Sequence, residues 1–393
     1  MFVELHLLQN FAPSCLNRDD TNSPKDCEFG GYRRARISSQ CIKRAIRRHF
    51  QHHLLLPPEH LAKRTKRLVD LLTERLVKAG KDRPTASGVA EVALRSCGLG
   101  IRADGKTEYL VFLGEGETAS LAEACEKHWE ALTAVIVRED EAEADKRARK
   151  KAHKAAVPEE FRKEVQALLN GGKAADLALF GRMLADLPDK NIDAACQVAH
   201  ALSTNQVSME FDFYTAVDDL QPQEEPGAGM MGTVEFNSAC YYRYANLDFD
   251  QLTQNLGGDT DLARKTVEAF LMATVQAVPT GKQTSMAAQN PPSLVLAVVR
   301  EHGLWNLANA FVDPVRPGRD GSLVQKSAQA LEDYWARLAA VFGEEGIKVK
   351  TALAVDCTLA QLQDCQVGSL NELVQKVINA LPRQAQPPEK EAP

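Results

Sequence analysis

Between Gly30 and Arg48 the chain carries seven basic side chains (Arg33, Arg34, Arg36, Lys43, Arg44, Arg47 and Arg48) and no acid. Solvated surfaces usually interleave the two signs, so a cationic run of this length calls for an anionic partner. Wound into a helix from about Ser39 to Phe50, the stretch divides in two. Gln40, Lys43, Arg44 and Arg47 share one face, while Ile42, Ala45, Ile46, His49 and Phe50 share the other. Ser38 or Ser39 falls at the N-cap, where backbone N–H groups and the positive helix end favour an anion. Basic residues one and two turns further on extend that preference to consecutive phosphates. Such contacts hold a nucleic-acid backbone without reading its sequence.

A second group of residues suits the bases themselves. Residues 209–217 alternate, with Met209, Phe211, Phe213, Thr215 and Val217 on one side. In a second alternating run Val234, Phe236, Ser238, Cys240, Tyr242 and Tyr244 share a face. The connection from Pro222 to Gly232 is too long and Gly-rich for a tight turn, which predicts a projecting hairpin with Met230 and Met231 at its tip. Phe213 and Tyr214 then offer rings that wedge against or stack on bases. A third cationic run, Lys146, Arg147, Arg149, Lys150, Lys151 and Lys154, follows five acids between Glu139 and Asp145. A solvated helix face is its ordinary reading, and weak attraction to a duplex is the alternative.

Other patterns fail on their chemistry. Thr280-Gly281-Lys282-Gln283 lacks the first glycine of a P-loop and has Gln where Ser or Thr is needed. Gly114-Glu115-Gly116-Glu117 would repel a phosphate with its own carboxylates. His49, His52 and His53 have no carboxylate or thiolate at ligand spacing, and neither G-x-S-x-G nor H-E-x-x-H occurs. No catalytic residue, metal or cofactor is therefore expected. The acidic cluster Asp19, Asp20 and Asp26 beside the basic segment has two readings, a role in loop structure or the cutting group of a ribonuclease.

The elements that must position these residues follow from composition and period. At 393 residues, with 44% hydrophobic and 25% charged side chains, the bulk is globular and two to three units are expected. The net charge is -6, yet residues 1–83 hold 17 basic and nine acidic side chains, which places a local anion site on an acidic body. Nine cysteines with no C-x-x-C pair indicate free thiols and a cytoplasmic setting. Residues 2–9 predict a strand, followed by a long polar loop to Gly30-Gly31. From Pro58 to Leu187 the period is mostly helical, as in Leu68, Leu72 and Leu76, with one apolar run at Tyr109–Leu113. Helices at about 259–277 and 322–342 flank a strand at Ser293–Val299; a strand near 350–355 and a helix near 369–381 come next. The tail 382–393 is Pro- and charge-rich and is expected to be disordered. The class is α+β.

The stretch Pro13-Ser14-Cys15-Leu16-Asn17-Arg18-Asp19-Asp20, then Gly30-Gly31 and Arg36-Ile37-Ser38-Ser39-Gln40, resembles the CasC (Cse) family, the backbone subunit of the type I-E CRISPR surveillance complex, Cascade. Further matches are Gly181-Arg182-Met183, Ala199-His200-Ala201, Thr215 to Gln221, Tyr242 to Asn246, Asn255 to Gly258 and Ala308 to Phe311. The resemblance implies an RRM-like (ferredoxin-like) palm with inserted helical fingers and a β-hairpin thumb. Its parts would be palm at 1–57, 191–208 and 245–381, fingers at 58–190 and thumb at 209–244. It implies a non-enzymatic protein that polymerises along one CRISPR RNA with the other Cascade subunits and presents the guide to a target DNA strand. Ser38, Ser39, Gln40, Lys43, Arg44 and Arg47 would hold RNA phosphates, with Arg18, Lys25 and Arg34 alongside and Arg182 and Met183 near the strand. Phe213, Tyr214, Thr215 and Val217 would belong to the thumb, and Lys146 to Lys154 would meet target DNA. The rivals are a guide-directed endoribonuclease of the type III backbone kind, cutting with one of the three acids, and a general single-strand binder.

Overall fold

The computed structural model describes residues 1–141, 157–216, 219, 230–319 and 322–383. It divides into two compact units, Met1–Leu55 with Cys196–Phe249 and Arg264–Pro393, and Leu56–Ala195 with Asp250–Ala263. Among the described residues the strands are β1 (Phe2–Ser14), β2 (Asp26–Phe29), β3 (Tyr32–Ile37), β4 (Ala62–Thr65), β5 (Val111–Gly114), β6 (Cys196–Val198), β7 (Ala201–Ser203), β8 (Glu210–Ala216), β9 (Met230–Asp248), β10 (Leu294–Arg300) and β11 (Ile347–Ala354). The chain is α+β with an antiparallel sheet.

In the first unit the sheet runs β11-β10-β1-β9-β7-β3-β2, with β6 and β8 also paired to β9. β1 lies between β10 and β9, Leu5 facing Ala297 on one side and Ala245 on the other. Both of its faces are buried. Leu8, Leu294, Leu296 and Val298 pack with Ala328, Leu331 and Trp335 of the helix Leu323–Phe342. Polar side chains of β1 are buried on both faces, which is tolerable only with partners. Glu4 accepts from the Tyr244 hydroxyl at 2.7 Å, the Trp305 amide at 2.8 Å and Arg300 at 3.0 Å. His6 Nδ1 is 2.9 Å from the Tyr242 hydroxyl, and Gln9 accepts from Arg243 at 2.5 Å.

β9 explains how a hairpin is rooted in this sheet. Its first residues, Met230 to Phe236, pair with β8, and from Asn237 onward it pairs with β1. One continuous 19-residue strand therefore carries the β8–β9 ribbon into the core. The polar stretch read as a loop up to Gly30-Gly31 contains a second hairpin. Gly30 (φ 63°) and Gly31 (φ 79°) form a two-residue turn between β2 and β3, with Phe29 opposite Tyr32. A side chain at Gly30 would meet the Val312 carbonyl at 2.2 Å. Neither short strand shows an apolar alternation, because both carry charged residues on their outer faces.

The second unit packs the helices Leu68–Lys78, Arg83–Ser96, Glu115–Lys127 and Glu159–Leu168 around Leu72, Leu76, Val89, Ala93, Leu121 and Phe161. The apolar run at Tyr109–Leu113 overlaps β5, which pairs with β4. No described helix is long and apolar enough to cross a membrane.

Candidate nucleic-acid interface

The basic helix is Ser39–His52, and Ser38 is its N-cap, the hydroxyl accepting from the Cys41 amide at 3.4 Å. No acid lies in the first turn, so the positive helix end is not neutralised from within. Burial of Ile42, Ala45, Ile46 and Phe50 turns the opposite face outward, with Gln40 and Arg44 exposed and Lys43, Arg47 and Ser39 half-buried. His49, expected on the buried face, is half-exposed and lies 3.1 Å from the Gln276 side-chain oxygen. It sits at the edge of the apolar stripe.

Asn17 fastens the preceding loop to this helix. Its side-chain oxygen accepts from the Ser38 amide and its carbonyl accepts from the Lys25 amide, both at 2.8 Å. Arg18 and Lys25 are thereby held beside the helix start. Arg18 is exposed and donates to the Asn22 side chain at 3.1 Å. Asp19 accepts from the Thr21 hydroxyl, the Thr21 amide and the Ser23 amide at 2.8–3.0 Å. The Thr21 bond leads these contacts in holding its carboxyl below the usual range. Asp26 is paired with Arg33. Two of the three acids are thus engaged in loop structure.

Arg36 and His200 were not singled out as site residues, yet they belong here. Arg36 Nη1 lies 3.1 Å from His200 Nδ1. A guanidinium only donates, so Nδ1 accepts and the neutral ring presents its Nε2–H outward. Burial, then the Arg36 and Lys25 charges, lower the His200 pKa. The sequence showed His200 only within Ala199-His200-Ala201, with no chemistry attached.

Two expected contacts are corrected. Arg34 is 0% exposed. Its Nη1 donates to the Ser203 and Thr204 carbonyls and its Nη2 to those of Phe311 and Val312, at 2.8–3.1 Å. The pleat of β3 sends Arg33 outward and Arg34 inward, so Arg34 ties chain segments together instead of facing a ligand. Arg182, in the second unit, is also buried. It pairs with the buried Glu117 at 2.8 Å and donates to the carbonyls of Phe112, Leu169 and Lys190. Its neighbour Met183 is 82% exposed.

Every residue of β8 is exposed, Phe211 at 65% and Phe213 at 64%. Neither face of β8 is buried within its unit. Tyr214 and Thr215 are on the same strand, and Val217 and the run Lys146–Lys154 lie outside the described residues. Where β8 meets the sheet, a cleft of about 610 Å³ opens. Arg18, Thr21, Asn22 and Ser23 line it from the loop, Phe211 and Tyr214 from β8, Thr233 to Glu235 from β9, and Lys282 from a distant turn. The structure thus joins the cationic loop to the aromatic ribbon, which lie nearly 200 residues apart in sequence.

The family model described as CT1975-like protein matches residues 3–377. The chain is similar to a chain of a "CRISPR RNA-guided surveillance complex, pre-nicking", at 30% identity over 97% of this chain and 100% of that one, with a TM-score of 0.84. It is also similar to a chain of a "CRISPR RNA-guided surveillance complex", at 27% identity with the same coverage and a TM-score of 0.73. No curated protein matches it.

Proposed function

This chain belongs to the CT1975-like protein family, and we propose that it is a CRISPR RNA-binding backbone subunit of a type I-E surveillance complex, of the CasC kind. In this reading several copies oligomerise along one guide RNA, with other Cascade subunits at hand, and present it for pairing with target DNA in antiviral defence. The antiparallel sheet is an RRM-like palm, the helical unit the fingers and the β8–β9 ribbon the thumb. Ser38, Ser39, Gln40, Lys43, Arg44 and Arg47 hold RNA phosphates, and Arg18 and Lys25 extend the track. Met183 adds an apolar contact. Phe213, Tyr214 and Thr215 of a thumb interrupt the base stack.

The observation that carries this reading is the Ser38-capped cationic helix face, fastened through Asn17 to the Arg18–Lys25 loop. Phosphate contacts made by such a surface position a strand and leave sequence recognition to base pairing. The reading makes the protein a non-enzyme; the loop contacts of Asp19 and the Asp26–Arg33 pair support it over the ribonuclease alternative. The test is to purify the protein from cells that carry a CRISPR array, sequence the bound RNA and probe it with nuclease. Repeat-derived RNA with periodic protection is expected. Heterogeneous RNA without periodicity points to a general single-strand binder, and absence of RNA overturns the proposal.

A further inference from the structure

The turn Thr280-Gly281-Lys282-Gln283 fails as a P-loop, yet the fold gives its lysine a defined place. A side chain at Gly281 would meet the Leu16 carbonyl oxygen at 2.3 Å and that of Cys15 at 2.7 Å. Only glycine lets this turn lie against the Arg18 loop. Lys282 follows at φ 50°, in the left-handed region that lysine adopts only under constraint. Its carbonyl accepts from the amides of Ser285 and Met286, and the Gln283 side chain donates to the carbonyls of Pro279 and Ala288 at 3.0 Å. The lysine is therefore presented by a closed turn, and it lines the same cleft as Arg18.

Among the described residues neither Arg18 nor Lys282 makes an ion pair. Both side chains line the cleft, and the close approach of Gly281 to the Leu16 carbonyl brings Lys282 next to the Arg18 loop. Tyr214 lines the cleft as well, its ring lying where a side chain at the cross-strand Gly232 would otherwise be. Glu235 is the one carboxylate in the lining and disfavours a phosphate beside it. Two cations, an aromatic surface and a volume of about 610 Å³ match one nucleotide and exceed what a bare anion needs.

We infer that this cleft seats one nucleotide of a bound single strand, its phosphate between Arg18 and Lys282 and its base or sugar against Tyr214. Lys282 is thus a further phosphate contact, and Gly281 is the residue that positions it. The inference rests on the RNA-binding reading above and is tested separately from it.

The full-length protein is titrated with a fluorescent single-stranded RNA across a salt series, and cross-linked to the same RNA carrying 5-iodouridine. Lys282→Ala is expected to make the log–log salt slope shallower by about 0.7, the share of one phosphate on a single strand. Lys282→Arg should restore it. Tyr214→Leu should lower affinity by roughly 5- to 150-fold, as loss of a stacking surface does, and remove a cross-link that maps to Tyr214. Lys348→Ala, whose lysine is paired with Glu301 at 2.8 Å, serves as the control with an unchanged slope. A wild-type slope for Lys282→Ala and no cross-link at Tyr214, with RNA still bound, would overturn the nucleotide seat and leave the RNA-binding reading standing. A wild-type protein that binds no RNA would overturn both.

Discussion

Replacing Arg34 by lysine separates two meanings of one cation. In the sequence Arg34 belongs to a run of phosphate-seeking residues; in the structure its fork joins the Ser203 and Thr204 carbonyls to those of Phe311 and Val312. A lysine keeps the charge but is a point donor with no fork, so it cannot reach both carbonyl pairs. Losing one pair removes two hydrogen bonds from a charged donor, each worth about 1.5–3 kcal/mol net, and leaves two buried acceptors unsatisfied. Burial already lowers the Arg34 pKa, and an ammonium in the same place loses its proton more readily. That release limits the cost, so Arg34→Lys is expected to destabilise by about 3–5 kcal/mol. This is a large fraction of a typical total of about 5–15 kcal/mol. The assay is urea unfolding, paired with an RNA salt titration at a temperature where the variant is folded. The midpoint should fall and the salt slope should match wild type. An unchanged midpoint with a slope shallower by about 0.7 would show that Arg34 reaches a phosphate, and the argument from burial would fail.

Lys43→Ala combined with Arg47→Ala should weaken RNA binding and flatten the salt slope by about 1.4, and a wild-type slope would remove both from the phosphate track. Glu117→Ala leaves the buried Arg182 guanidinium without its carboxylate and should cost about 3–5 kcal/mol in urea unfolding; a loss under 1 kcal/mol would contradict the buried pair. His6 is buried and its pKa is lowered from 6.5 to about 3, by burial first and Arg300 second. Between those values the unfolded chain binds the proton and the folded one does not. Stability should therefore fall as pH drops from 6.5 toward 3, by up to about 1.4 kcal/mol per pH unit from this group. His6→Gln should flatten the pH dependence of the urea midpoint, and parallel profiles would refute the assignment. Asp20→Ala should leave bound RNA as intact as wild type does; slower cleavage of a target RNA by the variant would favour the ribonuclease alternative.

Local period made much of this protein legible in advance. The helix Ser39–His52, its Ser38 cap and its cationic face follow from spacing within one segment, because a 3.6-residue repeat sorts side chains without outside help. The strand Leu294–Arg300, the helix Leu323–Phe342 and the β8–β9 ribbon were legible for the same reason. The β2–β3 hairpin was not, since its strands carry charges where an apolar alternation would announce them. Its signal was the Gly30-Gly31 pair.

What the chain alone determined is where positive charge and aromatic surface are concentrated, because composition and short-range period survive in one dimension. Which cations face a ligand was decided only by the tertiary structure. Arg33 and Arg34 are adjacent, yet one is exposed and the other bonds four carbonyls contributed from 169 to 278 residues away. Arg182 finds Glu117 at a separation of 65 residues, and Lys282 reaches the Arg18 loop because Gly281 fits against the Leu16 carbonyl. Such pairings depend on the register of a sheet assembled from distant segments, which no local spacing encodes.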